Sequence, residues 1–334
     1  MSQRVAIAGG GLKAWMAAAW LARRLEGLRP AIAVIGDDIV DGEGVCGPAV
    51  HRFNAAIGLD TARFVSETGA VPYLGLQQDG WFWPCGGFGV DLDGIAFHHH
   101  WLRLLTLGGH PDPGRFSLEA TAARDGRFGG APGRPLTYGF RFDAARYRTL
   151  LQQVAMEAGV KHGPAGEADL TIDCRGALAD GDAWTGRTLS LGAVESPLPT
   201  LDQTIHALER LVALWPRADI VPTAVACFNA DMAIVQGEVR DITAAHRALS
   251  GHDQAMSDSL AARLDLFQAT GEILSAPGPV RASDWLALFV GLGLRPRAWH
   301  PVADLLPEDE LKRRLAKVRT HIQDTVNALP IFGG

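Results

Sequence analysis

The stretch VAIAGGGLKAWMAAAWLARRL, residues 5–25, restricts this chain more than any other part of it. A short apolar run leads into three glycines and then into a segment with apolar residues at helical spacing. Leu12, Trp15, Met16, Ala19 and Trp20 share one helix face, Arg23 and Arg24 fall in its last turn, and Gly27 follows as a stop signal. A second strand, AIAVIG, closes a strand–helix–strand unit. The turn reads Gly9-x-Gly11-x-x-Ala14, with Gly10 between the two glycines, which is the G-x-G-x-x-G/A form. Gly9 permits the tight turn, Gly11 lets the backbone approach a pyrophosphate, and a small residue at 14 lets helix and strand pack closely. Free N–H groups at the helix start then face the phosphates. The second strand ends in Asp37 and Asp38, and an acid there can bond a ribose hydroxyl; Gly36 also falls near the critical position, and Asp37 is the better match. The alternative reading is a glycine-rich turn that binds nothing.

Composition narrows the class. With 334 residues, 47% hydrophobic and 20% charged, the chain has the make-up of a globular protein able to bury a large core. A formal net charge of -6 and no long basic run give no support to a nucleic-acid or anionic-membrane partner. Cys46, Cys85, Cys174 and Cys227 lie far apart with no CxxC, which points to free thiols in a reducing compartment and away from a disulfide framework or a zinc site. MAAAWLA looks like part of an export signal, yet Lys13 interrupts the apolar run and a strand precedes it. We therefore expect a cytoplasmic protein without a membrane span.

Further along, 37–50 reads as an acidic, glycine-rich loop, and 108–135 is dense in Gly, Pro and Arg and reads as a long surface excursion. FDAARYRTLLQQVAMEAGV is an amphipathic helix capped by Asp143, and ADLTIDCRG a strand. Helices are expected at 203–215, 228–249, 257–271, 283–292 and 308–328. The layout is α/β, with a dinucleotide-binding core over 1–195 and a mostly helical region over 196–334.

At this point the order of motifs resembles that of the flavin-dependent tryptophan halogenases along nearly the whole chain. The opening turn followed by Trp15 is similar to that family's GGG-x-x-G-W start. Gly42-Glu43-Gly44-Val45-Cys46-Gly47-Pro48 is similar to G-E-G/S-T-x-P, YGFRFDAARYRTLL to F-H-F-D-A, and ADLTIDCRG to D-L-x-I-D-C-T-G. LGAVESPLPTLDQ resembles G-F-L-E-P-L-E-S-T, with Glu195 in register, and MSDSLAARLDLFQATGEI and WLALFVGLGLRP resemble the C-terminal helices. The resemblance implies a flavin-monooxygenase-like fold with a Rossmann-type core holding FAD, and a separate reductase that supplies reduced flavin. In the family, halide is oxidised to hypohalous acid, which travels to a lysine beside tryptophan. Residues implied at the cofactor are Gly9, Gly10, Gly11, Ala14, Trp15, Asp37, Glu43, Gly44, Asp173 and Gly192.

Two departures accompany these matches. Tyr73, in VPYLG, stands where the family's T-F-K-L-G has its lysine, and a phenol forms no haloamine. A long middle segment carrying W-x-W-x-I-P is also missing, because only ALADGDAWTGRTLSL joins Gly176 to Gly192. GWFWP at 80–84 is superficially similar but lies in the wrong region. The candidate catalytic residues are thus Glu195, as base or orienting carboxylate, and Tyr73, as proton donor; their alternatives are a helix cap and a packing residue. His98, His99 and His100 are expected to be structural, since on a strand or loop they diverge and lack partners at ligand spacing. Three readings follow: an FAD-binding enzyme that does not halogenate free tryptophan, a degenerate relative acting as a binding or accessory protein, and an NAD-dependent oxidoreductase resting on the glycines alone. Loss of the middle segment should expose apolar surface, so a homo-oligomer or another partner is expected.

Overall fold

The computed structural model describes residues 3–37, 42–78, 80–130, 135–176, 181–216, 219–252 and 255–332. The chain forms two compact units, each assembled from two separated stretches: residues 1–71 with 139–240, and 72–138 with 241–334. This division differs from the linear one drawn from composition.

In the first unit the opening sequence folds as its pattern requires. Strand β1 (Arg4–Ala8) leads into helix α1 (Leu12–Arg24) and then into β2 (Ala31–Ile35), which pairs with β1 in parallel from Arg4↔Ala31 to Ala8↔Ile35. The other flank of β1 is taken by the strand Leu170–Asp173, also parallel, with Val5 opposite Leu170 and Ala8 opposite Asp173. With both edges paired and both faces covered, β1 needs an unbroken apolar run, and Val5, Ala6 and Ile7 are nearly inaccessible to solvent. The six-stranded sheet is completed by Thr188–Ser190, an antiparallel edge at Trp184–Thr185, and the short Lys161–His162 beyond β2.

Helix α1 is buried nearly all round, which is why its sequence is hydrophobic on almost every face. Its alanines at 14, 17, 18 and 19 permit close approach of the helix Ala144–Glu157. Trp20 stacks on Phe53 at 5.3 Å and donates its indole N–H to the Leu208 carbonyl at 3.2 Å. A small antiparallel pair, Glu43–Cys46 with Gly139–Asp143, sits with Phe64, Phe140, Phe142 and Tyr147 in edge-to-face contact. The fully buried Tyr147 hydroxyl donates to Asn54 Oδ1 at 2.6 Å, and burial raises its pKa well above that of a free phenol.

The second unit is mainly helical, with Phe97–Thr106, Leu118–Arg124, Asp258–Thr270, Ala282–Gly291 and Glu308–Asn327. The late helices fall where their periodicity placed them. The Gly/Pro-rich excursion does not: it carries a 3-10 turn at Pro113–Phe116 and the helix Leu118–Arg124. Asp112 and Ser117 cap these two elements, and Leu118 and Ala122, four residues apart, join Ile322, Val326 and Leu329 in a core cluster. Residues 131–134 of the excursion lie outside the described residues. In GWFWP, Trp81 and Trp83 belong to the hairpin strand Trp81–Pro84, and Trp83 donates to the buried Asp284 at 3.0 Å, so this run packs. The three histidines lie in the helix Phe97–Thr106 and not on a strand or loop. All three are buried: His98 and His100 bond the carbonyls of Gly271 and Leu92, and His99 Nδ1 accepts from the His300 N–H. Burial first, then the neighbouring His99, lowers the His98 pKa to about 4. No group of three or more metal-ligating side chains occurs among the described residues, and none of the described helices is long and apolar enough to cross a membrane.

The Tyr147–Asn54 pair generates a test. Tyr147→Phe removes a donor and leaves a buried amide oxygen unpaired, so unfolding stability should fall by about 1–3 kcal/mol. A urea midpoint equal to wild type would show that the pair contributes nothing.

Candidate functional site

The site begins where β1 ends. Its two neighbours, both parallel to it, lie on opposite sides and are reached by separate crossovers, so the ends of β1, β2 and Leu170–Asp173 form a crevice at a topological switch point. Hydrogen bonds tie the three ends together: the Gly9 N–H donates to the Ile35 carbonyl at 2.7 Å, and the Cys174 N–H to the Ala8 carbonyl at 2.9 Å. Gly9 has φ +123° and Gly36 φ +138°, values that L side chains rarely adopt. A Cβ on Gly36 would lie 3.1 Å from the backbone of Gly9 and Gly10, so two glycine-bearing turns pass each other with no room for side chains. Gly36 is a glycine that the turn pattern alone did not single out.

Helix α1 starts on Gly11 with no side-chain cap and no acidic residue in its first turn. Its first N–H groups are therefore left for an anion. Lys13 stands in that turn, and burial lowers its pKa. Ala14 is buried, as close packing demands, and Trp15 is wholly buried with its ring edge-on to His162 at 5.3 Å. Asp37 is exposed at the end of β2.

The third strand end carries a group that sequence reasoning did not weigh. Arg175 occupies the threonine position of D-C-T-G and grips Asp173 through Nε at 3.0 Å and Nη2 at 2.8 Å, while its own N–H also donates to that carboxylate. These bonds hold Asp173 below the usual carboxylate range. The Arg175 stem lies so close to Gly9 that a Cβ there would meet Arg175 Cγ at 3.4 Å. Lys13 thus adds positive charge to a turn already rich in N–H donors, while the Arg175 guanidinium beside it is paired with Asp173. The signal was present as a basic residue in an acid-free first helical turn and another just past a strand end.

Other expected residues are placed elsewhere in the first unit. Glu43 is exposed on its strand with Arg141 3.8 Å away, and a Cβ on Gly44 would lie 2.4 Å from the Phe142 ring, so packing already requires that glycine. Gly47 is tighter still, its N–H donating to Asp202 Oδ1 at 3.0 Å. Gly192 follows Leu191, whose N–H donates to the Asp173 carbonyl at 2.8 Å, which ties this segment to the third strand end. Glu195 is exposed, just after Val194, which is clamped by the Gln203 side chain at both N–H (3.0 Å) and carbonyl (2.8 Å). The helix Leu201–Ala213 has Thr200 at its N-cap. Tyr73 belongs to the second unit: it is buried, and its carbonyl accepts from Cys85 Sγ at 3.4 Å.

The family described as tryptophan halogenase matches residues 4–192 and 181–308. Among solved structures, the chain is similar to BrvH, a flavin-dependent halogenase from Brevundimonas sp. BAL3, with 20% identity, a TM-score of 0.88, and 99% of this chain and 98% of that one covered. It is likewise similar to Xcc4156, a flavin-dependent halogenase from Xanthomonas campestris, at 21% identity, TM-score 0.89 and coverage of 99% and 97%. A tryptophan 6-halogenase, SttH from Streptomyces toxytricini, matches at 16% identity, TM-score 0.83 and coverage of 98% of both chains. No curated protein matches. At these identities the structures establish a shared fold, and the family match covers most of the chain.

The thiol at the crevice supplies a test. Cys174 is partly exposed as a residue, yet burial, reinforced by Asp173, pushes its thiol up to about 12. Its thiolate fraction at pH 8 is then on the order of one in ten thousand. Iodoacetamide at pH 8 should label the exposed Cys227 and leave Cys174 unmodified in peptide mass spectra. Equal labelling of the two would contradict the buried environment. In sequence and in fold, the chain belongs to the tryptophan halogenase family.

Proposed function

We propose that the first unit binds FAD, with the pyrophosphate on the Gly9–Ala14 turn and the ribose at Asp37, and that the protein is a flavin-dependent oxidoreductase that does not halogenate free tryptophan. The observation that carries this reading is the cradle of Gly9, Gly36 and the uncapped start of α1. Two glycines without Cβ atoms leave backbone open to a close ligand, and acid-free N–H groups next to Lys13 match a diphosphate. When bound and reduced, FAD would supply the oxygen chemistry of the family. The chain's own part is to hold the phosphates through α1 N–H groups and Lys13, and to fix the Glu195 segment through Gln203.

What separates this chain from its halogenating relatives is also local. The Tyr73 phenol donates a hydrogen bond but carries no standing positive charge at neutral pH, whereas the family's lysine does. The two family-matched stretches meet over 181–192, within the segment that replaces the missing middle piece. That junction supports the loss of the indole seat. The same reading carries a separate flavin reductase and self-association as partners, in a cytoplasmic setting.

FAD titration by fluorescence should show saturable binding to wild type. Gly11→Val, which puts a branched side chain at the backbone's closest approach, should weaken it at least tenfold, about 1.4 kcal/mol. Absence of wild-type binding at high micromolar FAD would favour the accessory-protein reading.

With a flavin reductase, FAD, bromide, tryptophan and catalase present, no regiospecific bromotryptophan should form, and Tyr73→Lys should not restore it. Positioning supplies several kcal/mol of such a reaction, roughly 7–11 in the best cases, so a lysine without an indole seat is not enough. Regiospecific product from the wild type would overturn this.

A further inference from the structure

Outside the glycine crevice, the second unit holds a cluster of cations that no part of the proposed flavin chemistry uses. A cavity of about 460 Å³ is lined by Arg115, Thr121, Arg124, Arg319, Thr320, Gln323 and Asp324. Arg115 comes from the 3-10 turn, Thr121 and Arg124 from Leu118–Arg124, and the rest from Glu308–Asn327. Arg124 is engaged by Asp125 at 3.3 Å, and Gln323 also donates to Asp125. Arg115 and Arg319 have no ion pair or hydrogen bond among the described residues, unlike Arg103, Arg127, Arg281 and Arg314 of the same unit. The Asp324 carboxylate also lines the cavity and offsets part of this charge.

A second observation points independently to a ligand. Thr121 is 1% exposed, and its hydroxyl has no hydrogen-bond partner. Four helical threonines elsewhere, Thr68, Thr149, Thr270 and Thr325, return their hydroxyls to the carbonyl four residues back, whereas the buried Thr204 hydroxyl in the first unit is, like that of Thr121, without a partner. Thr121 also lines the cavity, where a ligand oxygen would relieve the cost of an unpaired buried hydroxyl. Next to this cavity lies another of about 580 Å³ that shares Arg115 and Arg319, with Leu104, Leu107, Phe116 and Leu315 on its apolar side and His110 and Lys312 also in its lining. The two unpaired guanidiniums therefore line both cavities, and the second adds an apolar wall.

We propose that this is a second binding site, for a soluble phosphate monoester with an apolar body. The phosphate sits on Arg115, Arg319 and the Thr121 hydroxyl, and the body lies along Leu104, Phe116 and Leu315. Donor number selects phosphate over carboxylate. Two guanidinium forks and a hydroxyl offer about five donors, more than the four lone-pair sites of a carboxylate, while the three terminal oxygens of a phosphate accept them all. All residues of the site lie in the second unit, whereas the FAD cradle lies in the first, so this inference does not rest on FAD binding.

The experiment is calorimetric titration of the full chain with phenyl phosphate, inorganic phosphate and benzoate, in the presence and absence of saturating FAD. Phenyl phosphate should bind tightest, through both chambers, and FAD should not displace it. Arg115→Gln with Arg319→Gln should weaken it at least tenfold without changing the circular dichroism spectrum. Thr121→Val should weaken it several-fold while keeping or raising the melting temperature of the ligand-free protein, because it deletes an unpaired hydroxyl. A Thr121→Val variant that melts lower would show the hydroxyl to be satisfied structurally and would count against the site. Failure of phenyl phosphate to bind, tighter binding of benzoate, displacement by FAD, or indifference to the arginine variants would each overturn the proposal. Binding to phosphatidic acid vesicles with no binding of phenyl phosphate would also overturn it, in favour of a lipid headgroup.

Discussion

Everything in the first unit depends on β1 having a parallel partner on each side. A central parallel strand has no free ladder and no solvent face, so its sequence must be apolar without alternation. Its two parallel partners lie on opposite sides and are reached by separate crossovers, which makes the end of β1 at Ala8 a topological switch point, where such sheets open a crevice. Glycine is needed there twice: Gly9 and Gly36 bring two turns within van der Waals reach of each other. Helix α1 is then delivered with its N-terminus at the opening, and its alanines let it lie close to the helix Ala144–Glu157.

The opening βαβ unit was legible because each of its signals is local: apolar run, glycine turn, helical periodicity, second run. The same holds for the late helices, whose caps and stops lie within one turn of their ends. What escaped the sequence is non-local. Gly44 stands out in the sequence only through its motif, and the packing of Phe142, nearly a hundred residues away in the chain, against it is a second demand for glycine that no local signal carries. The helix Leu118–Arg124 was hidden in a Gly/Pro-rich stretch because the partners that reward it, Ile322 and Val326, lie near the other end of the chain. The three consecutive histidines gave no periodicity of their own, and only burial and the Gly271, Leu92 and His300 contacts fix them on a helix. Arg175 could have been noticed, since it replaces threonine in a run that otherwise matches the family's.

The crevice is electrostatically one-sided. The N-terminus of α1 carries the positive end of the helix dipole, Lys13 stands in its first turn, and Arg175 adds a guanidinium that is already neutralised by Asp173. Burial makes the Lys13 charge costly, and an anion beside it would relieve that cost. An anion held there would therefore also stabilise the local fold. The segment bearing Glu195 is fixed through backbone atoms by Gln203, which sets its position independently of the carboxylate's charge state.

The position of β1 in the chain also governs the order in which the protein can assemble during synthesis. Arg4 meets Asp169, and Val5 meets Leu170, 165 residues later. At ribosomal rates of roughly 5–20 residues per second, β1 waits on the order of ten to thirty seconds for its second flank. In that interval an apolar strand carries an unsatisfied edge, the kind that pairs with other chains. The stretch 72–138, which belongs to the other unit, emerges during the wait and cannot complete its own core before residues past 241 arrive. A nascent chain of this design therefore has no finished unit to fold until most of it exists.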